Sequence, residues 1–333
     1  MCADVMADVE LDFDLPFQLR ARLTDDDPAV RRIAVRETSD EFDSAGLAVY
    51  LRASRDLAAE VRLEAARALE GIGALPAVES LLALLGDANA DVRQAAALSL
   101  AELRDGEAGP PLAAALASAE GASRAAILRG LRELREPTAL AAAIAALDDP
   151  LPLARREAIG VLAYLRDARA IAAIAGRIAD PSPEVRRAAA GALGFAQADA
   201  LPVARQALLF ALRERGGDKD WETREAAAAT LGKLLDPGSA EGLIAALLLD
   251  EYWQVRLKAA HALGQIKARA AVPALLQALD HAMSNLRKEA ANALGLIGDP
   301  SALPALQKLA TDDPDIDVRK TARRIVNAWR VKP

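Results

Sequence analysis

An arginine recurs along almost the whole chain at a nearly constant interval, and this repeat constrains the fold more than any other feature. Successive copies are separated by 31, 31, 31, 31, 31, 38, 32, 31 and 32 residues. Chance does not produce such a series, and periods of about 20–50 residues are typical of repeat architectures. The ten copies are Arg31, Arg62, Arg93, Arg124, Arg155, Arg186, Arg224, Arg256, Arg287 and Arg319.

Three further columns keep step with the arginine. Three residues after it stands an alanine in nine copies, and seven residues after it a leucine in eight. Six residues before it stands an aspartate in eight copies, while Ser118 and His281 interrupt that column. Spacings of three, four and seven place the small and leucine side chains on one helix face. Each repeat is therefore predicted to be two helices joined by a turn, with the arginine on the second helix.

The composition agrees with a helical stack. Hydrophobic residues make up 53% of the chain but aromatic residues only 3%, so the core is built from alanine and leucine. One helix pair cannot bury its apolar face alone, and neighbouring repeats must stack to form a continuous core. We predict an all-α solenoid of about ten two-helix repeats of roughly 31 residues. It is expected to be a single solenoid over residues 16–333, with an insertion near 213–220 and a flexible acidic leader at 1–15.

Several repeats resemble a known family. The segments DEYWQVRLKAAHALG (250–264) and PEVRRAAAGALG (183–194) are similar to the short HEAT-like repeats named after phycobilin lyases, and the resemblance covers about residues 16–330. It implies that the second helices line a concave surface and that an aspartate and an arginine six residues apart form a structural ladder between repeats. Such a motif specifies a fold but not a function. The ladder residues that it implies are Asp87, Arg93, Asp149, Arg155, Asp180, Arg186, Asp250 and Arg256.

Net charge and cysteine content argue against several classes of function. The net charge of −7 argues against general nucleic-acid binding, which needs a basic surface. The single cysteine, Cys2, excludes an internal disulfide and a thiolate metal cluster, and fits a reducing compartment. The acidic N-terminus is unlike a signal peptide, and no apolar stretch is long enough to span a membrane. We expect a cytoplasmic protein with no membrane partner.

The sequence indicates no catalytic centre. His261 and His281 are the two histidines, and neither has a carboxylate near it at metal-ligand spacing. A zinc site needs three or four ligands. We therefore predict no catalytic residue, no metal and no cofactor.

The concave face suggests where a partner binds. Residues one, two, five and nine positions after each arginine include eleven basic and seven acidic side chains, which favours a mildly anionic partner. Small residues beside Tyr164 and Phe195 predict a shallow apolar groove, unless these rings fold into the core. Trp221 and Trp253 each stand three residues before an arginine, where they either anchor a ligand or cover the turn. The candidate partner-binding residues are Tyr164, Arg187, Phe195, Trp221, Tyr252, Trp253, Lys258 and His261.

Three functions fit this pattern. The leading hypothesis is a non-enzymatic scaffold, adaptor or assembly factor that binds another protein on the concave face. The second follows from the resemblance: a phycobilin-lyase-like factor that attaches or detaches a bilin, a planar ligand held between aromatic rings and paired with Arg187 or Lys258. The third is a HEAT-like nucleic-acid-binding protein, against which the acidity of the chain counts.

Overall fold

The computed structural model describes residues 16–41, 46–213 and 217–330, so the leader predicted at 1–15 lies outside the described residues. Within these ranges the chain forms twenty α-helices and no strand, which confirms the prediction of an all-α solenoid of ten helix pairs. The helices are α1 Phe17–Leu23, α2 Pro28–Glu41, α3 Gly46–Ala53, α4 Ala59–Ala68, α5 Leu75–Leu84, α6 Ala90–Ala101, α7 Gly109–Leu116, α8 Gly121–Leu134, α9 Leu140–Ala145, α10 Pro152–Leu165, α11 Ile171–Gly176, α12 Pro183–Ala192, α13 Leu201–Leu212, α14 Trp221–Leu234, α15 Ala240–Leu249, α16 Trp253–Gln265, α17 Val272–Ala278, α18 Ser284–Ile297, α19 Leu303–Asp312 and α20 Ile316–Arg330.

The chain divides after Leu165 into two compact units, each containing five helix pairs. The first unit holds α1–α10 and the second holds α11–α20. In both, the odd-numbered helix of each pair is the first helix and the even-numbered one carries the repeat arginine. The prediction of a single solenoid over residues 16–333 stays a prediction.

The recurring alanine and leucine columns form the core of each unit. In the second unit, Ala259 and Leu263 of α16 and Ala290 and Leu294 of α18 are fully buried. These two second helices pack against each other. Alanine at the contact lets neighbouring helices approach closely, so that leucines from successive repeats fill one continuous core.

Within each unit, arginine–aspartate ion pairs connect successive repeats. Arg62 donates to both carboxylate oxygens of Asp87 at 2.6 and 2.9 Å, and it also donates to the backbone carbonyl of Asp56 in its own repeat at 2.8 Å. The guanidinium therefore fixes the turn of its own repeat and the start of the following one. Pairs of this kind between repeats include Arg31–Asp56, Arg62–Asp87, Arg124–Asp149, Arg186–Asp218, Arg224–Asp250 and Arg287–Asp313.

Backbone groups also hold ladder residues in place. Arg93 and Arg155 donate to the carbonyls six residues before them, at 2.7 and 2.9 Å. Arg256 donates likewise to the carbonyl of Asp250. Asp180 accepts from the backbone N–H of Ser182 at 2.9 Å. Arg93 and Arg256 are followed by the two repeats in which the aspartate column is interrupted.

The insertion near 213–220 is described in part, because residues 214–216 lie outside the described ranges. At its C-terminal end, Asp218 forms the ladder pair with Arg186, and Asp220 accepts from the N–H of Thr223 at 3.1 Å to cap α14. These two aspartates therefore restore the repeat geometry after the extra residues. Among the described helices, none combines the length and apolar character needed to cross a bilayer.

Candidate functional site

Charge is distributed unevenly over the surface formed by residues one, two, five and nine positions after each repeat arginine, here called the second-helix face. In the first unit this face has five basic and five acidic residues, whereas in the second unit it has six basic and two acidic residues. The whole positive excess therefore belongs to the second unit. Its basic residues are Arg187, Lys233, Lys258, Lys288, Lys320 and Arg324.

Two of the predicted basic residues are already paired. Arg187 forms ion pairs with Glu222 and, at 3.5 Å, with Asp220. Lys258 lies 3.7 Å from Glu225. A shallow groove of about 340 Å³ is lined by Arg187, Glu222, Glu225, Ala226, Ala229 and Lys258. The pairs are half-exposed, so they orient the cations without removing them from water.

Three other lysines lie on the same face. Neither Lys233 nor Lys288 forms an ion pair with any described residue, and Lys320 lies 3.6 Å from the exposed Asp317. These ammonium groups contribute to the excess of basic over acidic residues on this face of the second unit, in a chain that is acidic overall.

A cavity of about 390 Å³ lies between α16, α18 and α20, and is here called the terminal pocket. One part of its wall is polar and the other is apolar. The polar lining residues are His261, Glu289, Asn292 and Arg324; the apolar ones are Gly295, Leu296, Ile325, Ala328 and Trp329.

His261 is held in the pocket by residues of its own and the following repeat. Its Nδ1 lies 2.8 Å from Glu289 Oε1, and its Nε2 lies 3.3 Å from the amide nitrogen of Gln265. In the tautomer that carries its proton on Nδ1, the ring donates to this carboxylate and Nε2 accepts from the amide. Sequence spacing gave no sign of this carboxylate, because Glu289 is 28 residues from His261 and is brought close by the stacking of repeats. Among the described residues, no group of three or more histidine, cysteine, aspartate or glutamate side chains could hold a metal ion.

Arg324 forms the other polar end of the pocket. Its Nη2 donates to Asn292 Oδ1 at 3.0 Å, and the side chain is exposed. Sequence reasoning missed both residues as part of a site. The available signal was the column five positions after the repeat arginine, which contains His261, Asn292 and Arg324 in three successive repeats.

Aromatic residues of the second unit pack around a ladder pair. The ring of Trp221 stacks on that of Tyr252, with 5.6 Å between centroids and 12° between planes. The guanidinium of Arg224 lies 5.5 Å from the centroid of Tyr252 and is bonded to Asp250. Trp253 is half-buried. This stacking fits the alternative in which the rings cover the turn rather than anchor a ligand.

The two rings expected in the apolar groove fall in different units. Tyr164 belongs to the first unit, is 39% exposed, and has the guanidinium of Arg135 5.9 Å from its ring centroid. Phe195 belongs to the second unit, where it is half-buried at the end of the short 3₁₀ turn Leu193–Phe195. Each ring is accordingly assigned to the face of its own unit.

Known proteins share both the repeat and the fold. A profile for HEAT repeats matches residues 46–132, 109–194, 140–215, 175–256 and 240–326. Over 84 residues the chain is 39% identical to phycocyanobilin lyase subunit alpha of Synechococcus elongatus, a match that covers 25% of this chain and 30% of that protein. The chain thus aligns with less than a third of that relative's length.

Solved structures add evidence on the fold alone. An engineered protein aligns with a TM-score of 0.56 and 22% identity, covering 94% of this chain and 98% of that one. A chain in a structure of Kap95p bound to RanGDP aligns with a TM-score of 0.59 and 15% identity, covering 94% of this chain and 48% of the other. At such identities the likeness concerns architecture only.

Proposed function

Since this chain belongs to the HEAT repeat family, we propose that it is a non-enzymatic scaffold that binds a partner protein on the second-helix face of its second unit. The observation that carries the proposal is the charge distribution: all of the positive excess of that face lies in one unit of an acidic chain. A surface with a local excess of positive charge attracts a surface of the opposite sign and favours one orientation of it. The proposed partner is therefore a protein with an acidic surface.

The predicted site residues take different places in this proposal. Arg187, Lys258 and His261 lie on the face itself and contact the partner directly. Phe195 lies on the same face, and Tyr164 supplies a separate contact on the first unit. We place Trp221, Tyr252 and Trp253 at its rim, where stacked and half-buried rings offer apolar contact area with little loss of side-chain freedom.

A charge-reversal experiment tests the proposal. The face variant carries Lys233→Glu and Lys288→Glu, which change two cations without an ion pair among the described residues. The control variant carries Lys267→Glu and Lys308→Glu, two exposed lysines outside the second-helix face. Both variants change the net charge equally, so a difference between them reports the position of the charge.

Each form is used to capture proteins from a lysate of the source cells, and the recovered partner is then purified and titrated against the three forms. The proposal expects one acidic protein that binds wild type and control alike, binds the face variant at least about tenfold more weakly, and loses affinity as salt rises. Equal binding by all three forms would reject the proposed face.

A second candidate is a bilin-binding factor, and the segment 39% identical to a phycocyanobilin lyase subunit favours it. In that case Arg187 or Lys258 pairs with the propionates of the ligand. The stack of Trp221 on Tyr252 counts against a sandwich between these rings, because each already covers a face of the other. Adding phycocyanobilin to the purified chain decides: a saturable shift of its visible absorption supports this candidate, and an unchanged spectrum rejects it.

A further inference from the structure

The polar end of the terminal pocket is suited to a carboxylate. Arg324 has five N–H donors in a planar fork, and among the described residues one of them donates to Asn292. Such a fork matches the geometry of a carboxylate. Lys288 and Lys320 each precede one of these two residues by four positions, which places them on the same helix faces. Glu289, the acidic residue of the lining, is already occupied by His261.

The apolar end leaves hydrocarbon surface open to solvent. Leu296 is 48% exposed, and Trp329 is half-buried in the pocket wall. Gly295 lets α18 and α20 approach closely in this wall, because a Cβ atom there would lie only 3.1 Å from Ile325 Cδ1. Tryptophan and arginine are enriched among the few residues that supply most of an interface's binding energy, and here Trp329 and Arg324 line one pocket with the exposed Leu296.

We propose that the terminal pocket binds a short acidic–apolar segment of the partner protein, with a glutamate or aspartate carboxylate on Arg324 and an aliphatic side chain against Leu296 and Trp329. This rests on the proposed scaffold function and specifies which part of the partner enters the face. A pocket of about 390 Å³ has room for such side chains. A phosphate group would use the arginine and leave the leucine and the tryptophan uncovered, so a peptide accounts for both ends of the pocket.

Calorimetric titration of the full chain with synthetic peptides tests this assignment. The probe is an acetylated and amidated hexapeptide of alternating glutamate and leucine. Two companion peptides replace either every glutamate with glutamine or every leucine with serine. The proposal expects saturable binding of the first peptide and roughly tenfold or greater loss of affinity for each companion, which is the effect of losing one charge-assisted bond or one buried aliphatic contact.

Two variants show whether these preferences come from the pocket. Arg324→Gln should weaken the glutamate–leucine peptide about tenfold and leave the glutamine–leucine peptide unchanged, because the lost interaction is with the carboxylate. Leu296→Ala should weaken both of these peptides and leave the glutamate–serine peptide unchanged. Lys308→Gln, which removes an exposed cation outside the pocket, should change none of them. Far-UV circular dichroism establishes that all variants are folded.

Three outcomes overturn the assignment. The glutamate–leucine peptide does not bind, or Arg324→Gln lowers the affinity for all peptides equally. The third is that inorganic phosphate or an oligodeoxynucleotide displaces the bound peptide at a lower concentration than free peptide does.

Failure of this proposal is distinct from failure of the scaffold proposal. If the peptides do not bind but the lysine face variant still loses the partner protein, the face is correct and the pocket is not. If the peptides bind as expected but that variant keeps the partner, the peptide preference of the pocket stands and the proposal that Lys233 and Lys288 bind the partner is rejected.

Discussion

The guanidinium of Arg287 donates to both carboxylate oxygens of Asp313 in the following repeat, at 2.7 and 2.8 Å. Their side chains are only 11% and 2% exposed. The same arginine also donates to the backbone carbonyl of His281 at 2.9 Å. One side chain therefore connects the turns of two successive repeats, and its bidentate geometry fixes the position of α20 relative to α18.

Removing the acceptor should destabilise the second unit. Asp313→Asn leaves the Arg287 guanidinium without its carboxylate, and breaking a buried pair from one side is costly, so we expect a loss of about 2–4 kcal/mol in the free energy of unfolding. Urea denaturation followed by circular dichroism measures it. Lys320→Ala, which removes an exposed pair at 3.6 Å, is the control and should change nothing measurable. Similar urea midpoints for both variants would contradict a stabilising role for the ladder pair.

The same ion pair predicts how the stability of the protein changes at acid pH. The hydrogen bond from Arg287 lowers the pKa of Asp313 below its usual 3.8. The unfolded chain then binds the proton more tightly than the folded one, so this contribution is present above about pH 4 and is lost as the pH falls through the lowered pKa. Asp313→Asn should therefore show a shallower decline in stability below pH 4 than wild type. Urea midpoints at pH 5, 4 and 3 test this, and parallel curves would contradict it.

His281 occupies a position where most other repeats have the ladder aspartate, and His281→Asp should stabilise the protein. Burial, followed by the positive charges of Arg256 and Arg287, lowers the pKa of this histidine below its usual 6.5. The folded state thus binds the proton more weakly than the unfolded state, and stability falls as the pH drops below about 6.5. Aspartate would give Arg256 a carboxylate and remove this decline. We expect a gain of about 1–2 kcal/mol at pH 7.

The control for that substitution is His281→Asn, which keeps a side-chain acceptor for the N–H of Met283 but adds no charge. It should not raise stability at pH 7, although it should also remove the decline between pH 6.5 and 5. Denaturant midpoints across this range distinguish the two variants. A gain at pH 7 that is equal for aspartate and asparagine would mean that the ladder charge is not responsible.

The helical repeats could be predicted from the sequence because residues that share a helix face recur at fixed intervals within one helix. The alanine and leucine columns three and seven residues after each arginine correspond to helix periodicity, and the buried Ala290 and Leu294 bear this out. The pairing of His261 with Glu289 was not accessible in this way. It depends on how far α18 is displaced along α16, which packing determines and no interval within one helix encodes.

The stack of Trp221 on Tyr252 is a second contact that sequence spacing alone did not predict. Sequence comparison matched Trp221 with Trp253, since both stand three residues before an arginine. The interval between those arginines is 32 residues, and the ring on which Trp221 stacks belongs to Tyr252, 31 residues on. Because this repeat has one extra residue, the residue equivalent to Trp221 in the sequence pattern is Trp253, whereas the residue in contact with it is Tyr252.

This stack leads to a prediction on stability. Trp221→Ala removes the ring that covers Tyr252 and should lower the free energy of unfolding by about 1–3 kcal/mol, whereas Trp221→Phe keeps a stacked ring and should retain most of it. Thermal or urea denaturation measures both changes. If the alanine variant is as stable as wild type, the ring has no packing role, and its contribution would have to be sought in partner binding.

Close packing of the second helices is tested by two glycine substitutions with opposite expected signs. In Gly264→Ala the new Cβ would lie 2.8 Å from the Cα of Ala293, so α16 and α18 would have to separate. We expect a loss of about 1–3 kcal/mol, since backbone cannot give way as a flexible side chain does. In Gly191→Ala the new methyl meets nothing within 4 Å, and α12 gains a better helix former. That variant should gain up to about 1 kcal/mol. Urea midpoints that shift in the same direction for both would show that the distance between α16 and α18 does not limit side-chain size at this column.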